Sequence, residues 1–272
     1  MANHKTLEIC IDSFASAKAA IAGGADRLEA CSSLALGGLT PFLELVEEIR
    51  NCSDVKIRPM IRLRNGDFLY DKEELQIMKK QIQNLRKFSV DGFVFGCLQA
   101  DGSIDEESMK VLMDAADGLP ITLHRAIDVS RDILESYEVA NRLGVDTILT
   151  SGGKSNCIAG LPVLKELLSK QLQQNSIKKQ AQHNAIGQQA RYSTKIMVGA
   201  GVTTENLAYL AKELPDVSAF HMNGKIMVES GMQFRNEGVP MGLPGLDEWH
   251  IMQTDERSVR KAREILDYIG EN

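Results

Sequence analysis

Near the start of the chain Glu8, Cys10 and Asp12 alternate with Leu7, Ile9 and Ile11, and the next apolar run alternates Arg27, Glu29 and Cys31 with Leu28 and Ala30. The same two-residue rhythm sets Arg58, Met60 and Arg62 against Ile57 and Ile61, and later sets apart Thr122 with His124 and Ala219 with His221. Strand side chains point to opposite faces in turn, so the ionisable set shares one face and the aliphatic set the other. Glutamates and histidines gathered in this way can act as general bases and acids, and an arginine can neutralise developing negative charge. The candidate catalytic residues are therefore Glu8, Glu29, Arg62, His124, Asp128 and His221, serving an enzyme that acts on a small anionic or phosphorylated metabolite. A buried Glu–Arg network with a purely structural role is the competing reading, because buried charges are costly unless paired.

Glycine-rich turns give a second signal. Val198-Gly199-Ala200-Gly201-Val202-Thr203 follows one apolar run, and His221-Met222-Asn223-Gly224-Lys225 follows the last. Glycines let the backbone approach an anion, and a following helix N-terminus attracts it. Gly199, Gly201, Asn223 and Gly224 are thus a candidate anion site, with Thr203 as a helix cap; tight turns alone would explain them too.

The elements that must position these residues alternate along the whole chain. Strands are predicted at Leu7–Asp12, Arg27–Cys31, Lys56–Leu63, Gly92–Gly96, Ile121–Arg125, Thr147–Thr150, Lys195–Val198 and Ser218–Met222. Helices are predicted at Phe14–Ala22, Pro41–Arg50, Lys72–Phe88, Asp105–Ala116, Ile133–Leu143, Leu161–Leu172, Thr204–Leu214 and Asp255–Ile269. Such alternation implies parallel strands joined by right-handed crossovers, and eight units imply one closed (β/α)₈ barrel of the TIM type. Sites in that fold sit at the strand C-terminal ends, frequently with a phosphate held after strands seven and eight. Thr40 and Pro41 read as the N-cap and first turn of the second helix, and Gly144 as a helix-ending glycine. The polar, Gln-rich stretch from Gln171 to Thr194 reads as an exposed, disordered insertion in the single domain spanning residues 1–272.

Composition excludes several classes. The formal net charge is −6 over 272 residues, and no basic run interleaves with aromatics, which argues against nucleic acid as a partner. No apolar run approaches the roughly 20 residues of a membrane span, and Met1–Thr6 lacks the apolar core of a secretory signal. The five cysteines, Cys10, Cys31, Cys52, Cys97 and Cys157, are odd in number and scattered, which fits a reducing, cytoplasmic setting. No paired-histidine metal spacing and no G-x-S-x-G nucleophile turn is present.

Longer strings carry a resemblance. Glu8-Ile9-Cys10-Ile11-Asp12-Ser13, Gly24-Ala25-Asp26-Arg27-Leu28-Glu29-Ala30-Cys31-Ser32 and Gly37-Gly38-Leu39-Thr40-Pro41 resemble the CutC family of copper-homeostasis proteins. So do Met60-Ile61-Arg62-Leu63-Arg64-Asn65-Gly66-Asp67, Leu123-His124-Arg125-Ala126-Ile127-Asp128 and Ser230-Gly231-Met232-Gln233-Phe234-Arg235-Asn236. Leu63 stands where the family often carries proline, and Ala30 where a larger aliphatic is common; neither touches an ionisable group. The resemblance implies a TIM-type barrel, a cytoplasmic location, a homo-oligomer, and copper binding or tolerance as the role. Cu(I) prefers thiolates, and Cys10 and Cys31 fall on adjacent strands, both facing inward. The pair is the candidate metal site; two buried apolar thiols are the alternative.

Overall fold

The structure, a computed structural model, describes residues 4–184, 193–236, 238–239, 242 and 247–271. Eight parallel strands run in the order β3-β2-β1-β8-β7-β6-β5-β4: β1 Thr6–Ile11, β2 Arg27–Ala30, β3 Lys56–Pro59, β4 Phe93–Phe95, β5 Ile121–Leu123, β6 Thr147–Thr150, β7 Lys195–Val198 and β8 Ala219–Met222. A Met60–Val94 bridge, with Ile61 N–H donating to the Val94 carbonyl at 2.7 Å, closes β3 onto β4. The predicted barrel is therefore the fold.

Helices α1 Phe14–Ala22, α2 Leu43–Cys52, α3 Lys72–Leu85, α4 Glu106–Ala116, α5 Ile133–Leu143, α6 Leu161–Asn184, α7 Leu207–Glu213 and α8 Glu256–Glu271 surround the strands. The aliphatic face of each early strand packs under them: Leu7, Ile9, Ile11, Leu28, Ile57 and Ile61 are all fully buried in one apolar cluster. The polar face points into the barrel, as the alternation requires. Around β6, β7 and β8 the interior is apolar, filled by Leu149, Met197 and Ala219. Around β1, β2 and β3 it is charged.

Three local expectations differ. Helix α2 starts at Leu43 behind Phe42 and has no side-chain cap. Thr40 is drawn away because its hydroxyl accepts from Arg62 N–H at 3.0 Å and faces Gln81 at 2.9 Å. Helix α6 continues through Asn184, so residues 171–184 are helical and not an irregular insertion. Gln171 is buried and its Oε1 accepts from Ile196 N–H at 2.8 Å, which ties the helix to β7. Residues 185–192 of the expected insertion lie outside the described residues. Unforeseen from the sequence, β9 Lys225–Glu229 and β10 His250–Thr254 form an antiparallel pair beyond β8. Gly144 does end α5, with φ +82°.

Candidate functional site

Strand register decides which inward groups meet. On β1, Glu8 lies opposite Arg27 of β2 and His221 of β8, and Cys10 lies opposite Glu29. The Glu8 carboxylate is fully buried; Arg27 Nε donates to its Oε2, and its Oε1 is 2.8 Å from His221 Nδ1. The other ring nitrogen of His221 lies 3.8 Å from Glu29 Oε2. Cys31 Sγ approaches the same Glu29 oxygen at 3.6 Å.

Burial divides these acids in opposite directions. It would raise the Glu8 pKa, but Arg27 and His221 outweigh it and hold Glu8 at about 2. Glu29 has no such guanidinium against it, so burial pushes its carboxyl up to about 7 despite nearby His221. Burial also disfavours a charged His221, yet Glu29, Cys10 and Glu8 around it raise its pKa well above the usual imidazole value. Cys31 is pushed up strongly by its burial and by Glu29, and stays a thiol.

Of these groups, Glu29 and His221 line a cavity of about 370 Å³ at the strand C-terminal ends. Its lining includes Cys10, Glu29, Met60, Arg62, Phe68 and His124, with Asn223, Lys225 and Met252 from the β8–β9 side. His124 follows β5 and starts a 3₁₀ turn over Arg125–Val129, where its Nδ1 accepts from Ala126 N–H at 3.2 Å. Phe68 lies against the imidazole at 4.8 Å between ring centroids, and Arg62 lies over Phe68 at 4.9 Å. Burial, then the Arg62 charge, lowers the His124 pKa to about 3, so the ring is neutral at physiological pH. Glycine is required at 96 to admit it: an added Cβ would stand 2.9 Å from His124 Nδ1 and 2.7 Å from the Leu123 side chain.

Cys10, Glu29, His124 and His221 thus line one cavity, and Glu8 touches His221 without lining it. The other candidate residues engage other partners. Arg62 lines the cavity but does not pair with Glu8 or Glu29; its guanidinium donates to the carbonyls of Leu36, Gly38 and Gly66, where it organises the loops after β2 and β3. Asp128 lies outside the cavity lining, its carboxylate accepting from Thr150 Oγ1, Ser151 N–H, Gly153 N–H and Arg125 Nε, which fixes the loop after β6. Of the four candidate anion-site residues, one is in the cavity lining. Asn223 lines the cavity, whereas Gly199 N–H is spent on the Thr150 carbonyl and Thr203 N–H on Asn206 Oδ1. Helix α7 begins only at Leu207, and Thr203 meets it through its backbone carbonyl, which accepts from Leu207 N–H at 3.0 Å. Gly224, with φ +55°, serves as the turn into β9.

The two candidate metal residues, Cys10 and Cys31, have different surroundings. Among the described residues, the ligand atoms lying within 4.8 Å of one another belong to Cys10, Glu29 and His221. Cys31 sits beyond Glu29 on its strand, packed with Met60 and Val94. The inward positions of Glu29 and His221 were legible from alternation; their partnership with Cys10 was not.

A sequence profile of the CutC family matches residues 5–186. The chain belongs to the CutC family. A human copper homeostasis protein cutC homolog is 36% identical over 97% of this chain and 90% of its own length. The family protein CutC of Parabacteroides distasonis is 38% identical over 94% of this chain and 98% of its own. The crystal structure of a CutC protein of Streptococcus agalactiae superposes with a TM-score of 0.67 at 28% identity, covering 80% of this CutC chain and 97% of that one. A 3-hexulose-6-phosphate synthase of Salmonella typhimurium, at 12% identity and a TM-score of 0.53, shares the barrel architecture alone. Among the described residues of this CutC chain, no helix is long and apolar enough to cross a membrane.

Proposed function

We propose that the chain binds Cu(I) at the floor of the cavity, with the Cys10 thiolate as anchor and His221 Nε2 as second donor. The observation that carries this reading is the Cys10–Glu29–His221 cluster within 4.8 Å. Thiolate and imidazole both suit copper. The surrounding shell fits as well, because ligating histidines characteristically direct their other ring nitrogen at a carboxylate, and Glu8 occupies that position at 2.8 Å from His221 Nδ1. Met60 and Met252 add soft thioethers to the lining. Binding would displace the proton on His221 Nε2, so affinity should rise with pH.

Cu(I) titration against a competing chelator tests the reading. Cys10→Ser should weaken binding at least 100-fold (about 2.7 kcal/mol), and Cys31→Ser far less. Equal losses would restore the two-thiolate site, and no loss in either variant would end the copper reading. The role carries with it a cytoplasmic homo-oligomer. Supporting the first is the absence of any disulfide among the five cysteines, all free. Supporting the second are Met227, Phe234 and Ile251, large apolar side chains exposed on and beside the β9–β10 pair; light scattering checks it.

A second reading, an enzyme for a small metabolite, is favoured by the cavity's volume. About 370 Å³ far exceeds a single ion and falls within the roughly 300–1,000 Å³ span of small-molecule sites.

A further inference from the structure

Three fully enclosed polar atoms of the cavity residues have no hydrogen-bond partner on the protein. They are His124 Nε2, Arg62 Nε and Glu29 Oε1. Their neighbouring atoms are committed. His124 Nδ1 accepts the Ala126 N–H, so the single proton of the neutral ring must sit on Nε2, which is a donor. Glu29 Oε2 takes the Cys31 thiol, which leaves Oε1 as an acceptor. The His124 ring is held by the close approach of Gly96 on one edge and by Phe68 against it, so it cannot turn to find another acceptor without disturbing both. Buried polar groups in folded proteins are almost always satisfied, and here two donors and one acceptor belong to residues lining a single cavity large enough for an organic molecule.

We propose that the cavity binds a small hydroxy-carbonyl compound, its carbonyl oxygen accepting from His124 Nε2–H and a hydroxyl donating to Glu29 Oε1. The inference deepens the metabolite reading and does not depend on copper. A neutral imidazole with a burial-depressed pKa suits this position, because it donates a hydrogen bond to a carbonyl without surrendering its proton. The terminal nitrogens of Arg62 are engaged by the loop carbonyls of Leu36, Gly38 and Gly66, and its Nε–H is a second donor free to meet an oxygen of the same compound.

The probe is erythrulose, a four-carbon ketose too short to close a five-membered ring, so its carbonyl stays free. Erythritol lacks the carbonyl and 2-butanone lacks the hydroxyls. Binding is followed on wild-type protein through the His124 Nε2–H resonance with ¹⁵N-labelled histidine, and by titration calorimetry. Erythrulose should shift that resonance and bind at least tenfold more tightly than either analogue. His124→Asn retains an oxygen to accept Ala126 N–H and deletes the Nε2 donor; it should lose at least tenfold in affinity, and Glu29→Gln should lose the preference over 2-butanone. Erythrulose binding is measured on metal-free wild-type protein, so a failed copper titration and a failed sugar titration remain separate results. Equal binding of erythritol, an unmoved His124 resonance at saturating ligand, or no binding at 10 mM would each overturn the proposal.

Discussion

Replacing Arg27 with methionine tests how the floor of the cavity keeps a negative charge out of water. The Glu8 carboxylate is fully buried and faces two cations, Arg27 and His221. They hold its pKa at about 2 against an ordinary value of 4.5. At about 1.4 kcal/mol per pKa unit, that gap corresponds to roughly 3 kcal/mol of stability at neutral pH. Arg27→Met keeps most of the apolar stem and removes the charge, so it should cost about 3 kcal/mol, similar to the roughly 3–5 kcal/mol for breaking a buried ion pair. The depressed pKa fixes the pH course. The contribution is fully present above the unfolded value of 4.5 and is lost as pH falls through about 2. Urea denaturation of metal-free wild type and variant should therefore show the full difference at pH 7 and less than half of it at pH 3. A difference under about 1 kcal/mol at pH 7, or one of equal size at pH 3, would refute the assignment of Glu8 as a charge stabilised by Arg27.

His124 should show no imidazole titration between pH 8 and pH 5 in NMR, since burial and Arg62 place its pKa at about 3. Because the folded value lies below the unfolded one, this residue's contribution to stability should decline as pH falls from 6.5 towards 3. Gly160→Ala should destabilise the barrel by about 2–3 kcal/mol in thermal or urea melts, since an added Cβ would stand 1.7 Å from the Ser151 carbonyl oxygen. Gly231→Ala, which meets nothing within 4 Å, is the control and should melt like wild type.

Strand alternation identified the inward-facing set because it is a property of each strand alone. Once Leu7, Ile9 and Ile11 face the helices, Glu8 and Cys10 must face the barrel interior. The same local logic placed His124 and His221 in the cavity. The partners that hold the neighbouring side chains were not legible in this way. Arg62 follows the inward pattern, but the carbonyls that receive its guanidinium belong to loops whose paths depend on tertiary packing. Asp128 follows His124 by only four residues, yet a 3₁₀ turn carries its carboxylate to the loop after β6. For Thr40, the main-chain N–H of Arg62 displaced the expected role as a helix cap.

By itself the sequence determined the eight barrel strands, their order of appearance, the closed barrel and the identity of the groups turned inward. Those follow from apolar periodicity, which each segment expresses without reference to the others. Only the tertiary structure decided which inward groups touch. Adjacent strands could place Cys10 beside Cys31 or beside Glu29 with the same alternation; the observed register sets it opposite Glu29 and sets Glu8 opposite both Arg27 and His221. Register is settled by the packing of helices and strands around the whole barrel, so the carboxylate and imidazole that gather around the Cys10 thiol belong to the fold and not to any one strand.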